Sequence, residues 1–248
     1  FQILLDRSSQ KFCGVVTPFR GIRVYQRCAM GMPGSESALK ELMSRILGDL
    51  IVAGKVAKIA DDLYCGSNSL SDLLATWSQV LRLLSDCDLR LSASKTVILP
   101  CSTTILGWIW NQGTLSASAH QVSPLAQCDP PKMVKSLRSF IGAFKALAKV
   151  LKGCSNIIAP LNTLTAGRQS AEKIAWTELT LDSFNCAKAS LKSTKSITIP
   201  NKNDKLWIVT DGAVKTSGVG STLYLTRPGH NNPLLAGFFS AKLKQHQP

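Results

Sequence analysis

The period of the apolar positions changes several times along this chain, and each change marks an element. Residues 1 to about 30 alternate apolar and polar groups around Val15-Val16-Thr17-Pro18-Phe19-Arg20-Gly21, which predicts strands with a tight turn. The loop Ala29-Met30-Gly31-Met32-Pro33-Gly34 follows. Beyond it Ala38, Leu39, Leu42, Met43, Ile46 and Leu47 recur at helical spacing, with Ser35 placed to cap the helix. In Lys58-Ile59-Ala60-Asp61-Asp62-Leu63-Tyr64-Cys65-Gly66 two short runs flank a pair of aspartates, which predicts two strands with both carboxylates at the turn. Leu70, Leu73, Leu74, Trp77, Leu81 and Leu84 return to helical spacing over 70–86 as a core-packing face. Leu89 to Lys95 leads to an apolar strand, Thr104 to Trp110, closed by Asn111-Gln112-Gly113.

A second segment starts near His120. Asp129 before Pro130 and Pro131 reads as a helix start, and Met133, Leu137, Phe140, Ile141, Phe144, Ala148 and Leu151 mark one apolar face through about residue 152. At about 100° per residue, Arg138, Lys145, Lys149 and Lys152 fall within an arc of roughly 60° beside that face. Such a stripe is either a solvated helix face or a track for a polyanion. A further helix is expected near 172–191, carrying Trp176, Leu181, Phe184 and Leu191. From about 204 the period returns to that of strands: Leu206 to Asp211, Gly218 to Leu225 and Leu234 to Phe239 predict an antiparallel meander.

Charge narrows the class of partner. The chain of 248 residues carries 29 Lys and Arg against 15 Asp and Glu, a net +14, which favours a polyanion such as nucleic acid or an anionic surface. A hydrophobic content of 45% suffices for real cores, yet no apolar run approaches the roughly 18 residues that span a bilayer. Membrane residence is not expected. The cysteines Cys13, Cys28, Cys65, Cys87, Cys101, Cys128, Cys154 and Cys186 are scattered, with no His at ligand spacing, as expected of reduced thiols and not of a zinc knuckle or disulfide frame.

The aspartate pair is the candidate chemistry. Two adjacent carboxylates repel unless a cation offsets them, and magnesium is the cation that phosphoryl and nucleotidyl transfer uses to stabilise attacking and leaving oxygens. Taken alone the pair reads first as an acidic turn, and Asp211 at a strand end reads first as a turn former. The loop around Met30 and Gly31, opening a helix, can hold a phosphate or simply turn the chain.

The motifs gain weight from their order. Gln2-Ile3, Thr17-Pro18-Phe19, Ala29-Met30-Gly31-Met32, Leu42-Met43, Leu47-Gly48-Asp49-Leu50 and the aspartate pair fall in turn. Leu89 to Lys95, Leu106-Gly107-Trp108, Leu137-Arg138-Ser139-Phe140-Ile141-Gly142, Ala159-Pro160-Leu161, Trp176 with Phe184, and Thr210-Asp211-Gly212 with Gly218-Val219-Gly220 continue the series. The series resembles, over essentially the whole chain, the reverse transcriptase and ribonuclease H region of Ty3/gypsy-type long-terminal-repeat retrotransposon Pol polyproteins.

That resemblance implies an α+β fold in three parts: a partial right-hand polymerase palm over 1–119, thumb and connection helices over 120–200, and the first antiparallel strands of a ribonuclease H-like domain over 201–248. It implies RNA-directed DNA polymerase chemistry on a primer–template, with deoxynucleoside triphosphates as substrates. Asp61 and Asp62 would hold Mg2+ or Mn2+, and Asp211 would belong to the ribonuclease H acidic cluster. Met30, Gly31 and Lys95 would contact nucleotide and template, Leu106, Gly107 and Trp108 would form the primer grip, and Arg138, Lys145, Lys149 and Lys152 would track the duplex backbone. The rest of Pol, protease and integrase, would be partners, and element-encoded particles in the cytoplasm, or the nucleus, the location.

The chain departs from the family pattern at Ile59, where a Tyr is expected, and at Glu36, where Pro or Ala is expected. A third palm carboxylate is expected before Phe1 and further nuclease carboxylates after Pro248, so an internal piece of a polyprotein with little activity by itself is the expectation. A catalytically inactive element remnant, or a host-adapted nucleic-acid-binding protein, is the alternative.

Overall fold

The computed structural model describes residues 2–213 and 218–242; Phe1 and the last six residues of the expected third part lie outside them. Two compact units divide the chain, Phe1–Val97 and Ile98–Pro248.

The first unit opens with a short helix α1 (Arg7–Gln10), whose first turn Asp6 caps by accepting from the Ser8 backbone N–H. Strands β1 (Gly14–Thr17) and β2 (Gly21–Val24) pair antiparallel about the turn at Pro18-Phe19-Arg20, in register Val15 to Arg23 and Val16 to Ile22. The Gln2 side chain holds a distant strand of chain: its amide nitrogen donates to the Arg90 carbonyl (2.9 Å) and its oxygen accepts from the Arg90 N–H (2.6 Å). Helix α2 (Ser35–Val52) begins one residue earlier than the capping pattern suggested, because Gly34, not Ser35, takes the cap position in a left-handed conformation (φ 82°) open to glycine.

Strands β3 (Val56–Ile59) and β4 (Asp62–Cys65) form the expected hairpin, and helix α3 (Leu70–Ser85) follows, capped by Ser69, which accepts from the Asp72 N–H at 3.1 Å. Met43, Leu47 and Leu50 of α2 bury against Val80 and Leu84 of α3 and Val56 of β3. Burying each such side chain contributes about 1.5–3 kcal/mol, so this cluster fixes the hairpin against two helices. The unit ends with a 3₁₀ turn, Ala93–Lys95.

The second unit contains a four-stranded antiparallel sheet in the order β5 (Ser102–Ile105), β6 (Trp108–Asn111), β7 (Thr114–Ala117) and β8 (Ile197–Thr198). The single strand expected over Thr104 to Trp110 is instead two strands of a hairpin. Leu106 (φ 51°) and Gly107 (φ 81°) both adopt left-handed backbone, the requirement of a two-residue type I′ turn, and Gln112 and Gly113 repeat it between β6 and β7.

Helices α4 (Ala119–Gln127), α5 (Val134–Ala146), α6 (Cys154–Thr163) and α7 (Glu178–Ser190) pack on one another, with Ser118 capping α4 and Thr177 capping α7 in a reciprocal box with Thr180. The expected long helix through residue 152 stops at Ala146 and tightens into a 3₁₀ turn at Ala148–Val150. The helix expected from 172 starts at Glu178, and Trp176 precedes it with its indole N–H donating to the Pro131 carbonyl (3.0 Å). Asp129 likewise lies outside a helix, since α5 is capped at Met133.

The core runs through Leu137, Phe140, Phe144, Leu147, Leu151, Ile158, Leu161, Phe184 and Leu191. Because β7 pairs with β8 (Leu115 opposite Ile197) and Leu115 joins this core, the hairpins over 102–117 belong with the helices. The division into compact units falls at Val97.

The last three strands, β9 (Lys205–Ala213), β10 (Gly218–Thr226) and β11 (Leu234–Lys242), form the expected meander in the order β11-β10-β9. Its β11 side packs on α6, where the Ser155 N–H donates to the Ser240 hydroxyl at 2.9 Å. Among the described residues its β9 side is an unpaired edge, on which Leu206, Trp207, Ile208 and Val209 are exposed.

Candidate nucleotidyl-transfer and duplex-binding site

The β3–β4 hairpin positions the two carboxylates. Ile59 pairs with Asp62, which leaves Ala60 and Asp61 as a two-residue turn, and Ala60 takes φ 51°, a conformation that costs an L-residue about 1–2 kcal/mol. Directly opposed residues share a face, so Ala57, Ile59, Asp62 and Tyr64 line one face of the hairpin. Val56, Leu63 and Cys65 line the other and pack on α2 and α3. The acidic face is therefore the free one, and both Asp61 and Asp62 are exposed at its tip.

Tyr64 is half-buried beside them, and its phenol is pushed above the ordinary tyrosine value by burial first, then by the negative charge of Asp62 and by a hydrogen bond to that carboxylate. Burial likewise raises the Cys65, Cys128 and Cys154 thiols, and all eight cysteines are free.

Two adjacent carboxylates suit a magnesium ion in kind, since it prefers oxygen ligands, and in number, since it is commonly held by one or two carboxylates with phosphates and water completing the shell. No group of three or more His, Cys, Asp or Glu side chains that could hold a metal exists among the described residues. Asp211 stands on β9 in the second unit, exposed and opposite Gly220.

The other expected site residues fall into two groups. Met30, 86% exposed, and Gly31, in left-handed backbone (φ 79°), occupy the loop ahead of α2, and Lys95 ends the 3₁₀ turn with an exposed side chain. In the second unit Leu106 and Gly107 form the β5–β6 turn and Trp108 begins β6. Over the Trp108 ring stands the ammonium of Lys149, 4.0 Å from the centroid, so a residue of the basic stripe and a residue of the hairpin form one cation–π contact.

The stripe is not uniform. Lys152 is exposed, and Lys145 reaches the Asn162 side-chain oxygen only at 3.5 Å. Arg138 instead turns to its own fold: its guanidinium donates to the Thr165 carbonyl (2.9 Å), the Arg168 carbonyl (2.6 Å) and the Ser170 hydroxyl (3.4 Å). Beside it Glu172 accepts from the Gln169 N–H and from Arg168, and those bonds hold its carboxyl below the usual range.

Sequence reading missed the part played by Gln121 and by Tyr64. Gln121 lies over the β5–β6 turn, so that a Cβ built on Gly107 would stand 3.1 Å from its side-chain carbon. Neither residue carries a pattern signal, since each acts through a turn whose geometry only the fold defines.

No protein-family model matches the chain. Its mixed α/β fold resembles that of the foamy viral protease–reverse transcriptase, solved in complex with double-stranded DNA, with a TM-score of 0.75 at 17% identity, over 98% of this chain and 41% of that one. The homologues of the chain are the Pol polyproteins of retroviruses and transposons, gypsy and Tf2 among them. The Pol polyprotein of transposon opus of Drosophila melanogaster is 24% identical over 219 residues, 85% of this chain, and the Tf2-3 polyprotein of Schizosaccharomyces pombe is 22% identical over 228 residues, 92% of this chain. The chain spans about a fifth of the length of these relatives, 21% and 17% respectively. Among the described residues no helix is long and apolar enough to cross a membrane.

Proposed function

We propose that this chain is a segment of an RNA-directed DNA polymerase that adds deoxynucleotides to a primer, followed by the start of a ribonuclease H-like domain. The observation that carries the reading is the free face of the β3–β4 hairpin, which presents Asp61 and Asp62 at a tip backed by two helices. Mg2+ or Mn2+, when bound there, would supply charge stabilisation for the triphosphate and the primer oxygen.

The residues around it do the rest of the work. The exposed loop at Met30 and Gly31, with Lys95, receives the incoming nucleotide and template, and the Leu106-Gly107-Trp108 turn, steadied by Lys149, meets the primer strand. Lys145, Lys149 and Lys152 face the duplex backbone as sequence-independent charge. Asp211 on β9 is the first carboxylate of the nuclease part. In this reading residues 1–119 belong to the palm, 120–200 to the thumb and connection, and 201–248 to the start of the nuclease part.

Ternary-complex formation tests the reading without requiring turnover. With a recessed primer–template, Mg2+ and the next complementary deoxynucleoside triphosphate should slow dissociation of the duplex, a mismatched triphosphate should not, and Asp61→Asn should abolish the difference. Equal dissociation with matched and mismatched nucleotide would instead favour the remnant or binding-protein reading, for which Ile59 in place of the expected Tyr is the supporting observation.

A further inference from the structure

We propose that β9 is a self-complementary edge through which two copies of this chain pair, strand to strand and antiparallel, about a two-fold axis at Ile208. The inference goes beyond the polymerase reading and does not depend on it.

Among the described residues β9 pairs only with β10, so its other edge carries unpaired backbone N–H and C=O groups along the strand Lys205–Ala213. Such an edge is ordinarily blunted by a proline, a bulge or a charge at its centre. β9 has none of these. Its register with β10 runs without a shift from Lys205 to Ala213, whereas the pairing of β10 with β11 shifts between Leu223 and Tyr224. Leu206, Trp207, Ile208 and Val209 are all exposed, and since alternate side chains leave opposite faces, β9 shows apolar surface on both. A strand exposed on both faces and along one edge fits an extended partner that continues the sheet.

The positions of the charges identify that partner. A two-fold axis that joins antiparallel strands into one sheet stands perpendicular to it and keeps every side chain on its own face, so the axis must pass through a residue. With the axis at Ile208, Lys205 stands opposite the partner's Asp211, twice over by symmetry, Trp207 opposite the partner's Val209, and Leu206 opposite the partner's Thr210. Opposite charges, and an aromatic with a β-branched side chain, are favourable cross-strand pairs. Moving the axis to Trp207 or Val209 loses both ion pairs, because Lys205 then meets Val209 or Ala213. Among the described residues neither Lys205 nor Asp211 has an ion-pair partner. The Lys205 ammonium rests over the Trp207 ring, 4.3 Å from its centroid, and the indole N–H donates to the Thr226 hydroxyl at 3.2 Å, which holds the ring on the face that the ion pairs share.

Sedimentation velocity of the full 248-residue chain over a concentration series tests this, at about 0.15 M salt, where the net +14 is screened beyond about 8 Å. The expected result is a monomer–dimer equilibrium. Lys205→Asp and Asp211→Lys each place like charges at both ends of the pair and should weaken dimerisation about tenfold. An equimolar mixture of the two variants should restore it, because opposite charges then meet again at both ends. Ile208→Lys sets two ammonium groups against each other at the axis and should leave a monomer. Its circular dichroism and thermal midpoint should match those of the parent, since Ile208 is 69% exposed.

A parent chain that stays monomeric at every concentration would overturn the proposal and leave the edge to a strand of a longer chain or of another protein. Dimerisation that survives Ile208→Lys, or that the mixture of charge variants fails to restore, would overturn it as well by placing the contact on another surface. None of these outcomes involves Asp61 or Asp62, so the polymerase reading stands or falls separately.

Discussion

At the scale of single residues, Arg138 shows how an exposed charge can be spent on the fold's own carbonyls. Its guanidinium is occupied by the Thr165 and Arg168 carbonyls and the Ser170 hydroxyl, which fastens the loop after α6 to the start of α5. Arg138→Met should therefore lower the stability of the second unit by about 1 kcal/mol in urea denaturation, the net worth of such hydrogen bonds, while leaving the salt dependence of duplex binding unchanged. Lys152→Ala, at an exposed position, should do the reverse. The same loop carries an acid-sensitive latch in Glu172. Its folded-state pKa lies below the unfolded value, so the stabilisation it gives is complete above the unfolded carboxylate range and is lost as pH falls through the lowered pKa.

At the scale of elements, the β5–β6 turn is the place where local chemistry decides most. Gly107 combines a left-handed backbone with Gln121 packed over it, so Gly107→Ala should cost about 1–2 kcal/mol from conformation and a further amount from collision. Gln121→Ala in the same chain should recover the collision part only, which a double-mutant cycle by urea denaturation would resolve. This turn also shows where sequence reading runs out. Period and composition located α2, α3, the β3–β4 hairpin and the closing meander to within a few residues, because each has a strong apolar repeat or a strong punctuation. The run from Thr104 to Trp110 has a continuous apolar pattern with a single glycine, and nothing local says that Leu106 joins Gly107 in left-handed backbone. Likewise the carboxylate pair was plain in the sequence, whereas the sidedness of its hairpin follows from which residues α2 and α3 bury, a tertiary fact. Arg138 joins the basic stripe by helical angle alone, and its hydrogen bonds go to carbonyls about 30 residues away.

At the scale of the molecule, 29 basic against 15 acidic residues favour affinity for any polyanion, so affinity by itself discriminates nothing. What discriminates is how the affinity responds to salt and to substitution. If Lys145, Lys149 and Lys152 lie along a duplex, each phosphate contact contributes about 0.9 to the slope of log affinity against log salt, and replacing Lys145 and Lys152 together should reduce that slope by nearly two. Lys149 is a different case, because its ammonium also rests on the Trp108 ring. Lys149→Met should lower the slope and in addition loosen the β5–β6 hairpin against the turn at Ala148–Val150, visible as a change in Trp fluorescence that the other two replacements do not produce. A general surface charge would predict equal, small effects at any lysine, including Lys192 or Lys202. Slopes measured by fluorescence anisotropy on a labelled hybrid duplex therefore decide whether the stripe is a track or only a share of the net charge, and a drop confined to Lys145, Lys149 and Lys152 is the outcome that places the duplex beside α5.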